Sequence, residues 1–338
     1  MSDAAQDDAA PALPATPIHW LDRCYALLSG RARMFSAGLG DPELLALLDG
    51  PPLYRPLAAL VSPAFDEPRR ARGLLVRDGT FSSPVELLPE AARTVHLRWL
   101  TAPGPRRGAA VILPGSREAG YGLRASIYGS LVKKGIDLFL LEAPFYGARR
   151  PVGQDGENLA TAAQQGLLVW AMAEEARGLL SWLFREGRGP VAVAGYSMGG
   201  FVAGAVGSLV HHAVGVAAFA AGVSPAATYT RMLLSRQVDW GAVGGPGGEA
   251  AARARLHRLF TQGSSARLPP PRTPQAAVIV ACRQDGFVPA EETLALHARY
   301  PGARLRWLEA GHISGLFTGR AALRSAISES LERVRVLS

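Results

Sequence analysis

Val191-Ala192-Val193-Ala194-Gly195-Tyr196-Ser197-Met198-Gly199-Gly200 joins a short apolar run to a Gly-x-Ser-x-Gly turn, and an apolar helical stretch follows it. That arrangement is the signature of a nucleophile elbow. A serine at the sharp turn between strand and helix sits in a strained backbone conformation, so its hydroxyl projects above the sheet. Side chains two residues before and two after it would collide, which accounts for Gly195 and Gly199. Gly200 lets the new helix lie close to the neighbouring strand. A bare Gly-x-Ser-x-Gly also arises as an ordinary glycine-rich turn; the context of this one sets it apart.

Outward from the elbow, apolar strands alternate with helices. Strands are predicted at 109–113, 137–141, 191–194, 214–220, 277–281 and 305–308. Helices are predicted at about 121–134, 157–187, 198–211, 290–299 and 318–335. Near-continuous apolar strands in such alternation imply an α/β class with a mostly parallel sheet flanked by helices. Upstream, 73–76 and 94–100 read as further strands, the second with alternating character. Residues 18–60 read as a largely helical extension. Trp20, Cys24, Leu27 and Leu28 fall at helical spacing, and Asp41 is placed to cap a second stripe of Leu44, Leu45, Leu47 and Leu48. Such a stripe more often docks on its own domain than on a membrane.

Residues 223–274 interrupt the rhythm with a glycine-rich 241–248, a helix at 249–261 and the stop Pro269-Pro270-Pro271. They read as a cap or lid inserted between the strands near 220 and 277, over the carboxyl edge of the sheet. The expected organisation is a disordered tail over 1–17 and a single domain over 18–338.

Composition narrows the function classes. The chain of 338 residues is 48% apolar and 19% charged, ordinary for a soluble globular protein. Its Ala/Pro/Asp-rich start lacks the basic and apolar regions of a secretion signal. No segment reaches the ~18–20 uninterrupted apolar residues that span a bilayer; the nearest, 201–223, is cut by His211-His212 and by glycines. Cys24 and Cys282 are the only cysteines, too few for a disulfide framework, and Cys282 sits where it packs as a small hydrophobe. A reducing, cytoplasmic setting is expected. The net charge of +8 raises the question of nucleic acid or anionic membrane. The arginines are dispersed, Lys133 and Lys134 are the only lysines, and no basic block carries interleaved aromatics. A basic solvated surface is expected, without nucleic acid, and peripheral contact with anionic lipid headgroups stays open.

A serine hydroxyl becomes nucleophilic when a base takes its proton, and the base needs a third group to hold its tautomer. Asp285 lies in Cys282-Arg283-Gln284-Asp285-Gly286-Phe287-Val288-Pro289, just past an apolar strand. Alone it reads as a turn residue. His312 lies in Gly311-His312-Ile313-Ser314-Gly315, past the last strand, and of the seven histidines it alone precedes small residues in a strand-end loop. Groups at the carboxyl ends of such strands converge, so Ser197, His312 and Asp285 are the expected nucleophile, base and orienting acid. The oxyanion hole is expected from the N–H of Met198 and that of Ser116 in Leu113-Pro114-Gly115-Ser116-Arg117. A second strand-end loop, Glu142-Ala143-Pro144-Phe145-Tyr146-Gly147-Ala148-Arg149-Arg150-Pro151, offers Arg149 and Arg150 as a clamp for a substrate carboxylate or phosphate. Pairing of one arginine with Glu142 or a helix carboxylate weighs equally. Tyr146 either lines the acyl pocket or packs the loop. Gly120-Tyr121-Gly122-Leu123-Arg124-Ala125 with Glu142 imitates a dinucleotide fingerprint, but Pro114 to Ala119 separate it from its strand. No phosphate loop and no close His/Cys metal spacing occurs, so neither cofactor nor metal is expected.

On the 142–151 loop, the elbow and Gly311-His312-Ile313-Ser314-Gly315, the chain resembles the α/β-hydrolase superfamily. More narrowly, it is similar to the alpha/beta-hydrolase-domain-containing protein 18 family, over roughly residues 18–330. The resemblance implies an α/β-hydrolase fold and serine chemistry with every triad position kept, and it leaves the substrate undefined. The expected activity is that of an esterase or lipase-like serine hydrolase, cleaving a small-molecule or lipid acyl ester through an acyl-enzyme. An acyltransferase or perhydrolase would use the same triad. A non-catalytic hydrolase-fold binding protein has the intact Ser, Asp and His against it, and a nucleotide-binding oxidoreductase would require a bound cofactor.

Overall fold

β-Strands form where side chains can be buried on both faces, and five central segments are buried at every position: β5 (Gly108–Leu113), β6 (Ile136–Leu141), β7 (Val191–Tyr196), β8 (Gly215–Phe219) and β9 (Ala277–Cys282). They belong to a ten-stranded sheet of order β1 (Ala64–Phe65), β3 (Leu74–Ser82), β4 (Thr94–Thr101), β6, β5, β7, β8, β9 and β10 (Arg304–Leu308), with β2 (Arg69–Ala71) paired to β3. The computed structural model describes residues 16–29, 33–50, 53–71, 73–244 and 247–337. The tail expected over 1–17 lies outside them except for its last two residues.

Helices α1 (Trp20–Leu28) and α2 (Pro42–Asp49) precede the sheet. β1 (Ala64–Phe65), β2 (Arg69–Ala71), β3 (Leu74–Ser82) and β4 (Thr94–Thr101) build its antiparallel edge, with the one-turn α3 (Glu90–Arg93) before β4. β4 meets β6 antiparallel; from there to the far edge every pairing is parallel. The connections are α4 (Gly122–Tyr128), α5 (Ala162–Arg185) and α6 (Met198–Leu209). After β8 (Gly215–Phe219) come α7 (Ala226–Thr230), α8 (Trp240–Gly244) and α9 (Gly248–Gln262). Past β9 follow α10 (Ala290–Ala298), β10 (Arg304–Leu308), α11 (His312–Thr318) and α12 (Arg320–Leu337).

Alternation along the strands divides the core. Val111 and Val193 pack with Leu180 of α5 and Val202 of α6 on one face. Ile112 and Ala194 pack with Ile127 of α4 and Ile327 of α12 on the other. Because β5 lies between β6 and β7, the chain winds outward in one direction and then the other. The crevice at their carboxyl ends is a topological switch point, where α/β sheets bind ligands. The elbow and the loop after β5 both open there.

Several boundaries differ from the expected ones for identifiable reasons. α5 starts at Ala162 rather than near 157, because Thr161 and Gln164 form a reciprocal capping box. The helix expected over 121–134 stays α-helical only to Tyr128 and tightens to a 3-10 turn over Gly129–Lys134. β3 runs on to Ser82, paired along its length with β4. The N-terminal extension is helical in two pieces, and residues 53–63 carry neither helix nor strand. α2 begins behind Asp41, whose carboxylate accepts from the Leu44 N–H at 2.9 Å, and docks on the core through Leu44. Among the described residues no helix is long and apolar enough to cross a membrane.

Candidate active site

β7 ends at Tyr196 and α6 begins at Met198, so Ser197 alone turns the chain. It does so at φ +55° and ψ −118°, a conformation that costs a non-glycine residue about 1–3 kcal/mol. Its N–H donates to the Phe219 carbonyl at 2.8 Å, and its own carbonyl accepts from the Phe201 N–H at 2.9 Å. The turn is tight enough to exclude any side chain beside it. A Cβ on Gly195 would lie 2.3 Å from the Gly199 carbonyl carbon, and one on Gly199 would lie 2.7 Å from the Leu113 oxygen.

Met198 is the first residue of α6, and the opening N–H groups of a helix have no acceptor within it. Ser197, Met198 and Ser116 wall one cavity together with Phe201, Tyr229 and Val288. Ser116 stands on a loop that is firmly held. Glu118 accepts from the Gly115 N–H at 3.0 Å and from Arg124 Nε at 2.8 Å. Arg124, itself buried, donates through Nη1 to the Ile112 and Leu141 carbonyls, and Glu142 accepts from the Gly120 N–H. The residues that imitate a dinucleotide fingerprint thus brace the loop after β5.

The Asp285 carboxylate takes the Phe287 and Val288 N–H groups on Oδ1, each at 2.8 Å, and leaves Oδ2 to the His312 ring. Nδ1 of His312 lies 2.8 Å from that oxygen. An ionised carboxylate only accepts, so Nδ1 carries the proton and Nε2 is the basic nitrogen. The ring is nearly buried, in edge contact with Tyr196 at 5.3 Å and tilted against Phe287 at 5.1 Å. Burial disfavours its charged form, but the charge and hydrogen bond of Asp285, helped by the charge of Asp22, outweigh this and raise the His312 pKa above 6.5. Tyr196, directly before Ser197, donates its hydroxyl to the His312 carbonyl at 2.6 Å. Among the described residues no direct hydrogen bond joins the Ser197 hydroxyl to the imidazole, a contact that often tightens only around substrate. Cys282 is buried behind Tyr196, and burial pushes its thiol up to about 12, in keeping with a packing role.

The 142–151 loop departs from the expected clamp. Arg149 is completely buried. Its guanidinium grips Glu175 at 2.6 and 2.8 Å and also donates to the carbonyls of Ala92 and Glu142. No donor remains for a substrate, so the alternative of a helix carboxylate partner is the one realised. Arg150 is exposed and reaches Glu157 at 3.3 Å. Tyr146 is buried beside Ser116 and Arg117; burial raises its pKa, and those two neighbours moderate the rise. None of the three lines the cavity at Ser197. The cavity wall contributed by α5, Gln165 and Val169, gave no signal in the sequence, since both sit in an unremarkable helical run. Among the described residues no group of His, Cys, Asp or Glu is arranged to hold a metal ion.

A mostly parallel sheet, a strained serine between strand and helix, and an Asp–His pair past the ends of β9 and β10 define the α/β-hydrolase fold. Within it, the chain belongs to the family described as alpha/beta hydrolase domain containing 18, whose sequence model matches residues 58–246 and 247–333. Among solved structures, acetyl xylan esterase 1 from Thermoanaerobacterium sp. JW/SL YS485 is similar at 13% identity, covering 90% of this chain and 98% of that one, with a TM-score of 0.59. TT1662 from Thermus thermophilus is similar at 21% identity, covering 70% and 94%, with a TM-score of 0.51. The acetyl xylan esterase from Paenibacillus sp. R4 is similar at 13% identity, covering 88% and 98%, with a TM-score of 0.55. At these identities the likeness is one of fold.

Proposed function

We propose that this protein is a serine hydrolase that cleaves a carboxylic ester with a long apolar acyl chain. Ser197 Oγ attacks the acyl carbon while His312 Nε2 takes its proton, and the carbonyl electrons move onto an oxygen held by the Met198 and Ser116 N–H groups. Collapse of that intermediate breaks the bond to the alcohol, which leaves with the proton from His312. Water then attacks the acyl-enzyme by the same route and releases the acid. Asp285 keeps the imidazole in the required tautomer and stabilises its charged form.

One observation carries the reading: the 2.8 Å hydrogen bond between His312 Nδ1 and Asp285 Oδ2, on the rim where the strained Ser197 emerges. The shape of the cavity supports the acyl preference. Gln165, Val169, Phe201 and Pro225 border both the cavity at Ser197 and an adjoining one walled by Leu48, Tyr54, Trp170, Leu259, Phe260 and Leu268. Among the described residues no charged side chain lines the adjoining space, and each methylene buried in such a place gains about 0.8 kcal/mol.

Activity-based labelling tests the assignment. A fluorophosphonate probe is expected to label the wild type and to leave Ser197→Ala unlabelled, with both proteins giving the same circular dichroism spectrum. Equal labelling of the two would refute the nucleophile.

A further inference from the structure

Asp22 sits in the first turn of α1 and is completely buried. A buried carboxylate is costly unless its charge is met by hydrogen bonds or a cation. Among the described residues no ion pair includes Asp22; it is met by backbone N–H groups from two distant loops. Oδ2 accepts from Gly286 at 2.9 Å and from His312 at 2.8 Å, and Oδ1 accepts from Ile313 at 2.9 Å. Gly286 follows Asp285 directly, and His312 carries the imidazole itself. One carboxylate therefore ties the loop after β9 to the turn after β10. The surrounding segment reinforces the tie, since the His19 N–H donates to the Gln284 carbonyl at 3.0 Å and the Thr16 hydroxyl to the Arg283 carbonyl at 2.5 Å.

We propose that Asp22 is a positioning residue of the active site: its carboxylate fixes the Asp285 loop against the His312 turn, making α1 part of the hydrolytic apparatus. This rests on the assignment of Ser197, His312 and Asp285 above. Charge-assisted bonds to N–H groups are short and directional, so three of them from one side chain set the mutual orientation of acid and base more firmly than either loop does alone. A displacement of about 1 Å in such a constellation costs on the order of 10²-fold in rate.

The groups facing His312 are Asp285 from the loop after β9, Asp22 from α1, and Tyr196 from β7 with Cys282 behind it. Burial raises the pKa of Tyr196 and of Cys282, so both stay neutral and only the two carboxylates act on the ring by charge. Removing the Asp22 charge therefore lowers the His312 pKa, in addition to loosening its turn.

The test uses the full chain and a soluble p-nitrophenyl ester. Asp22→Asn keeps the shape but turns one acceptor oxygen into a donor. It is expected to lose about 10²-fold in kcat with little change in KM, to label more slowly with the fluorophosphonate, and to shift the acid limb of kcat/KM to lower pH. Leu28→Ser, on the exposed face of the same helix, is expected to keep wild-type turnover. A merely structural Asp22 would lower the melting temperature while leaving kcat and the acid limb where they were, and that result in a folded Asp22→Asn overturns the proposal. Should Asp22→Asn fail to fold, Asp22→Glu keeps the negative charge and misplaces the oxygens. Lost turnover with an unmoved acid limb then supports the proposal, and wild-type turnover overturns it. A wild type that neither labels nor turns over overturns the Ser197 assignment, and this proposal with it.

Discussion

Burial alone would hold His312 neutral at any pH near 7, because an imidazolium loses its hydration inside a protein. The Asp285 carboxylate at 2.8 Å reverses that balance and sets the pKa above 6.5. The sign of the pH effect follows. In the proposed mechanism His312 must be neutral to take the Ser197 proton, so turnover is expected to fall as pH drops through the raised value. Measured on the wild type with a neutral ester from ~pH 5 to 9, kcat/KM reports the free enzyme, and its acid limb is expected to have a midpoint above 6.5. A midpoint below that, or a flat profile, contradicts the role given to the Asp285–His312 pair. The three residues of the candidate triad were readable from sequence because each is marked by its neighbours. Ser197 has the glycines that a tight elbow demands, and Asp285 and His312 follow apolar strands into short loops. Asp22 carried no such mark. Its acceptors serve N–H groups 264 to 291 residues away, and in sequence it is one more polar position on an amphipathic helix.

Arg149 and Arg150 show the same limit at the level of an element. Two adjacent arginines in a strand-end loop advertise donors, but the sequence does not say which acceptors folding brings to them. Glu175 lies in the middle of α5, a helix buried along most of its length, and there it needs a cation. Arg149 supplies it and also closes off the Ala92 and Glu142 carbonyls, pinning the loop between α3 and α5. Removing one partner of a buried pair costs about 3–5 kcal/mol. Urea unfolding of Arg149→Ala is expected to show a loss of that order, with neutral and anionic esters affected alike. Arg150→Ala, losing an exposed pair, should stay within about 0.5 kcal/mol of the wild type. Selective loss of anionic substrates in either variant would restore the clamp. Among the elements themselves, the strands buried on both faces were legible as unbroken apolar runs. β1 and β2, at two and three residues, are too short to carry a period, and they exist only because β3 offers them an edge. The start of α5 was missed because the Thr161 cap is a local device that an apolar pattern does not register.

At the scale of the molecule, the segment between β8 and β9 was visible as a break in the strand–helix rhythm. What it encloses was not, because the enclosure is made by parts that lie far apart in the chain. Leu48 at the end of α2, Trp170 of α5 and Phe260 of α9 wall one apolar space, which meets the cavity at Ser197 along Val169 and Phe201. On the proposed reading, an acyl chain on Ser197 has an apolar direction in which to extend, past Val169. That geometry makes chain length the discriminating variable. Val169→Trp would set an indole across the shared wall while leaving Ser197, Met198, Ser116 and the Asp285–His312 pair unsubstituted. An acetyl ester, whose acyl group fits beside Ser197, should keep kcat/KM within about twofold. A decanoyl ester must pass the shared wall, and its loss is expected at about 10–200-fold, the range that hydrophobic pockets achieve through steric fit. Equal loss for both esters would mean that the indole disturbs Ser197 itself. No loss for either would mean that the chain leaves by another route, and the long-acyl reading would fall while the serine chemistry stood.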